Sequence, residues 1–102
     1  MPQLDCTARR VGDYESRTEE YELAFSVGQS PPHELEVKYQ AARAYEINAA
    51  LDAASEIARE AIAEEDPGAR GPTDEALAKF TWRAVQAAKY EEGKPVSSRI
   101  DF

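Results

Sequence analysis

The chain is poor in the residues that most often carry chemistry. Its 102 residues hold one cysteine, one histidine, one tryptophan and one methionine. With Cys6 alone, an internal disulfide and a cysteine metal cluster are both excluded, which fits a reducing compartment and an expected place in the cytoplasm. His33 has no second histidine, glycine-rich loop or recognisable nucleophile to work with, so a surface or capping role is expected for it. Positive charge is also short. Twelve Lys and Arg stand against twenty Asp and Glu, a net charge of −8. That balance argues against free nucleic acid as the obvious partner and favours solubility or docking on a basic surface. No hydrophobic run approaches the length that spans a membrane, and the opening MPQLDCTARR lacks the apolar core of a secretory signal. There is no internal repeat and no low-complexity segment.

Glycine and proline are few, and they fall in clusters that punctuate the chain: Pro31-Pro32, Asp66-Pro67-Gly68, Gly71-Pro72, and Gly93 with Pro95. Between the first two clusters, residues 31–65 are dominated by Ala, Glu and other good helix formers. Ser30 can cap, the two prolines suit a first turn, and Glu34 and Glu36 lie near the positive end of the dipole. One long helix over about 31–65 is therefore expected. Val37, Ala41, Ala44, Ile47, Leu51, Ala54, Ala58 and Ala61 or Ile62 form its three-four apolar stripe, widened by Leu35, Tyr45, Ala50 and Ile57. A second helix is expected over about 73–92, capped by Thr73 or Asp74, with Leu77, Phe80, Thr81, Ala84, Val85 and Ala88 on its apolar face.

The N-terminal quarter reads differently. Leu4, Cys6 and Ala8 alternate with polar residues, and so do Tyr21, Leu23, Phe25 and Val27, which predicts strands over about 3–10 and 20–28. Arg9 to Asp13 reads as strand end and turn, and Tyr14 to Glu20 as loop. The tail 96–102 alternates again, either as a last strand beside Tyr21–Val27 or as an ordered arm on a partner. The expected fold is thus α+β but mainly α: one domain, 1–102, built on an antiparallel helical hairpin with an N-terminal strand or hairpin.

The expected helices differ in length, roughly 50 Å against 30 Å at 1.5 Å per residue. The longer one would leave apolar stripe uncovered, which predicts a homodimer with a seam at Val37, Ala41, Ala44, Ile47 and Leu51. A break near Asn48 is the alternative. Tyr39 and Tyr45 point to different faces, one to the core or seam and one outward. Asp52, Glu56, Glu60 and Glu64 form a carboxylate row that reads as a solvated face or, in a metal-dependent hydrolase, as a site for a hard cation. Lys79, Trp82, Arg83 and Lys89, with Arg9 and Arg10, form a candidate partner surface. The region 31–66 carries nine acids and three bases, whereas 73–94 carries four of each. No catalytic, cofactor-binding or metal-binding residue is assigned, and no cofactor is expected. The function expected is a non-catalytic interaction or regulatory module: a small acidic homodimer that binds another protein with a basic surface. A nucleic-acid-associated regulator using the second helix with Arg9 and Arg10 is the second reading.

Overall fold

The computed structural model describes residues 2–12 and 17–102. In chain order the elements are β1 (Gln3–Val11), β2 (Thr18–Val27), β3 (His33–Gln40), α1 (Ala44–Glu65), α2 (Asp74–Lys89) and β4 (Val96–Asp101). The four strands form one antiparallel sheet in the order β3-β2-β1-β4. Both helices lie on one face of it, α1 over β2 and β3, α2 over β1 and β4.

The expected mainly α helical hairpin is overturned. Residues 33–40 are a strand, and α1 begins only at Ala44. The reason is visible in HELEVKYQ. His33, Leu35, Val37 and Tyr39 alternate with Glu34, Glu36, Lys38 and Gln40. Only a strand gathers the first set on one side. There Val37 sits opposite Tyr21 and Leu35 opposite Leu23, and the row is roofed by α1. Burying that row outweighs the helix propensity of Glu, Leu and Lys. The helix then starts at Arg43, an extended residue with no side-chain cap.

The strands expected near 3–10 and 20–28 form as β1 and β2, and the tail forms β4. The tail, however, pairs with β1 and not with Tyr21–Val27: Cys6 faces Ser98 on one side and Phe25 on the other. The loop expected through Glu20 is shorter than read, because Thr18, Glu19 and Glu20 already belong to β2. The turn at Asp13 and the loop over 14–16 lie outside the described residues.

Between the layers lies the core. Leu4, Cys6 and Ala8 of β1, and Tyr21, Leu23, Phe25 and Val27 of β2, meet Ala54, Ala58, Ala61 and Ile62 of α1 and Leu77, Val85 and Ala88 of α2. The alanines of α1 let the helix approach the sheet closely. At its far end α1 is pinned to the β2–β3 turn, where Glu65 meets the Ser30 hydroxyl and Glu64 meets His33 Nε2. The interhelical loop turns at Gly71, whose φ is +68° and whose hydrogen faces Ile62. A β-carbon there would come within 3.2 Å of Ile62 Cδ1.

The premise of the expected seam disappears with the long rod. α1 has 22 residues and α2 has 16, and both are backed by the sheet. Val37 is buried in β3, Ala41 is exposed in the turn after it, Ala44 is exposed at the start of α1, and Ile47 and Leu51 are half-buried farther along. Val37, Ile47 and Leu51 do meet, but inside one chain, around a small void shared with Tyr39 and Trp82. No helix among the described residues is long and apolar enough to cross a membrane.

Candidate functional site: the uncovered face of the sheet

The helices cover one face of the sheet; the other face carries no layer among the described residues. The strand period places Asp5, Thr7 and Arg9 of β1 on that face. With them lie Glu20, Glu22, Ala24 and Ser26 of β2, Glu34, Glu36 and Lys38 of β3, and Ser97, Arg99 and Asp101 of β4. The registers set them in rows across the sheet. One row runs Ser97, Thr7, Ala24, Glu34; the next runs Arg9, Glu22, Glu36.

Thr7 and Ala24 are small, so the middle of the face sinks. The result is an open hollow of about 440 Å³ lined by Thr7, Arg9, Glu22, Ala24, Glu34 and Glu36, with Pro95 at its rim. Each base on this face already has an acid beside it. Arg9 Nη2 lies 2.5 Å from Glu22, Lys38 Nζ 3.6 Å from Glu20, and Arg99 Nε 2.6 Å from Asp5. The Arg99–Asp5 hydrogen bond and the Asp5 charge hold the guanidinium more firmly protonated than usual. Glu34 and Glu36 form no ion pair among the described residues, and both are exposed. Glu36 stands directly opposite Glu22, a like-charge cross-strand pair of the kind that costs stability.

A second polar group lies under the helices. Glu19 is only 5 % exposed, and its Oε1 accepts a hydrogen bond from the Tyr21 hydroxyl at 2.8 Å, with Lys89 Nζ at 3.7 Å. Tyr39 stacks on Tyr21 with ring centres 6.0 Å apart, and Trp82 tilts against Tyr39 at 6.2 Å. The Tyr39 hydroxyl makes no hydrogen bond among the described residues. Burial, then the charge of Glu19, pushes its pKa up to about 12, and burial with the Glu19 hydrogen bond raises Tyr21 further still. Burial likewise pushes the Cys6 thiol up to about 12. These groups are protonated at neutral pH, which makes them poor bases and nucleophiles. The cluster reads as a polar piece of core in which Glu19 is satisfied and the Tyr39 hydroxyl is not, and not as a reaction centre.

The residues singled out in the sequence as a partner surface are spread over more than one face of the molecule. Arg9 lies on the uncovered face and Arg10 is buried on the helix side of the same strand. Lys79 is exposed on α2 and paired with Glu75 at 3.1 Å; Arg83 is exposed; Trp82 is half-buried against Tyr39; Lys89 turns to Glu19. Asp52, Glu56 and Glu60 are exposed along α1, and Glu64 is taken by His33. Among the described residues no three His, Cys, Asp or Glu side chains come together to hold a metal ion. A helix over 33–40, as its propensity suggests, would not bring Glu34 and Glu36 beside Glu22; the strand does. The signal that finds them is the even-numbered alternation of Glu20, Glu22 and Glu34, Glu36. Comparison with protein-family models, with curated proteins and with solved structures gives no match.

Proposed function

We propose that the chain is a non-catalytic binding module that docks an extended basic segment of another protein on the uncovered face of its sheet. The observation that carries this reading is the hollow itself. It is open, it has a floor of small side chains, and it is bordered by Glu34 and Glu36, two carboxylates with no ion pair among the described residues. The nine charged side chains of this face divide into six acids and three bases, and each base already faces an acid. A lysine- or arginine-rich strand laid across the hollow would meet Glu34 and relieve the crowding around Glu22 and Glu36. The net charge of −8 adds long-range attraction for such a partner.

Calorimetric titration with an extended Lys/Arg-rich peptide tests this. Saturable binding that weakens with added salt and falls several-fold in Glu34→Lys is expected. A Glu56→Lys/Glu60→Lys variant, whose changes sit on the far side of the molecule, should bind nearly as the parent does. Equal losses in the two variants would mean that net charge, not the hollow, attracts the peptide, and the reading would fall.

A further inference from the structure

The sheet has two outer edges, and they are not alike. β4 is the shorter one, six residues long, and its Arg99 is engaged within the chain by Asp5. β3 is eight residues long and, among the described residues, pairs only with β2. Its outer main-chain groups therefore offer a template for another strand. At its end the Gln40 amide is met by Glu46 Oε1 at 3.4 Å, which closes the last position but leaves the middle of the strand open.

The sequence along that edge is self-complementary. Two copies of β3 running antiparallel must match residues of the same face, so only a few registers exist. Centred on Val37, the pairing sets Glu36 of each copy against Lys38 of the other. It also sets Leu35 against Tyr39, and Glu34 against the neutral Gln40. Centred on Glu36, the pairing would set Glu34 against Lys38 but oppose Glu36 to itself; centred on Lys38, it would oppose two lysines and make no ion pair. One register is thus favoured and its neighbours are penalised. On β4 the register centred on Ser98 makes no ion pair; the one centred on Ile100 sets Arg99 against Asp101, but it overlaps only the end of a six-residue strand and uses an arginine already held by Asp5. Lys38 is well placed for the role. It is exposed, and its one ion pair among the described residues is the long one to Glu20 at 3.6 Å. Glu36 gains most, because in the single chain it faces the like charge of Glu22.

We infer that β3 is a homodimer edge: two copies pair antiparallel through Glu34–Gln40, centred on Val37, into a continuous eight-stranded sheet. The two-fold axis is perpendicular to the sheet, so all four helices lie on one side and both hollows on the other. The occupant is a second copy of this chain. Edge pairing leaves Glu34 opposite a neutral residue and so available to the hollow, whereas Glu36 is shared by the two proposals.

Charge reversal with rescue, read by sedimentation at high micromolar concentration, tests the inference. The parent chain is expected to be dimeric. Glu36→Lys sets lysine against Lys38 twice in each dimer and should weaken self-association about tenfold or more. The double variant Glu36→Lys/Lys38→Glu restores both pairs and should restore the dimer. Melting at low concentration, where the chain is single, separates this from misfolding, since Glu36→Lys also replaces a repulsive neighbour of Glu22 with an attractive one. A monomeric parent, a dimer untouched by Glu36→Lys, or a double variant that stays monomeric would each overturn the inference. Peptide binding lost in Glu34→Lys without loss of the dimer keeps the two proposals apart.

Discussion

Tyr21 and Tyr39 are stacked neighbours whose hydroxyls have opposite standing. The Tyr21 hydroxyl donates to the buried Glu19 carboxylate at 2.8 Å, whereas that of Tyr39 is buried without a hydrogen bond among the described residues. Removing a hydroxyl that satisfies a buried charge leaves the charge exposed to a poor solvent; removing one that satisfies nothing does not. Tyr21→Phe should therefore cost about 1–3 kcal/mol in denaturant unfolding. Tyr39→Phe should be neutral within about 0.5 kcal/mol or stabilising. An equal loss in both would mean that Glu19 does not depend on Tyr21.

The same residues set the response to alkali. Cys6 has an ordinary value of 9.0 and is held near 12 in the fold; Tyr39 has an ordinary value of 10.0 and is also held near 12, with Tyr21 raised as well. In each case the unfolded chain releases its proton first. Stability is therefore fully present below pH 9 and declines as pH rises toward 12, by about 1.4 kcal/mol per pH unit for each group in play. Cys6→Ala should delay the onset of the decline by about one unit, because only the tyrosines then remain. Urea midpoints taken across the alkaline range check this, and tyrosinate absorbance should rise for Tyr21 and Tyr39 only as the chain unfolds.

At the scale of the element, the sequence misleads in one place, and for a definable reason. Pro31, Pro32 and the glutamates that follow look like a helix start, and 33–40 is rich in helix formers. What decides the matter is the two-residue period, which puts Leu35, Val37 and Tyr39 together against β2 and under α1. The period was legible in the chain; its outranking of propensity depends on a neighbouring strand that only the fold supplies. The true start of α1 was not legible, since Ala41, Ala42 and Arg43 include no glycine, proline or capping side chain. The start of α2 was legible, because Thr73 caps it by accepting from the Ala76 amide at 3.1 Å. Thr73→Ala should cost about 1 kcal/mol in thermal melting, and Thr73→Ser should recover most of it. The strand itself has its own signature. In a double-mutant cycle of Glu22→Gln and Glu36→Gln at dilution, a repulsive coupling of about 0.2–1 kcal/mol is expected from two carboxylates facing each other across strands. No coupling would place Glu36 elsewhere.

For the whole molecule, the two layers divide the work. Apolar side chains of the sheet and helices meet on one face, and the surfaces proposed for a partner and for a second copy lie on the opposite face and along β3. Composition alone pointed to an acidic protein with a basic partner, and that remains the proposal. Composition could not say where the acids gather, because 33–40 had to be a strand before Glu34 and Glu36 could join Glu22 on one surface. The dimer, too, moves. No uncovered helical rod exists among the described residues to support it, and the surface proposed for it is an edge strand whose charges complement themselves.

The most direct measurement follows the backbone amides by NMR as an extended Lys/Arg-rich peptide is added. Saturable shifts at Thr7, Glu22, Ala24 and Glu34, with little change at Glu56 and Glu60 on α1, are the predicted result. Shifts gathered on α1, or none that saturate, would contradict the assignment of the binding face.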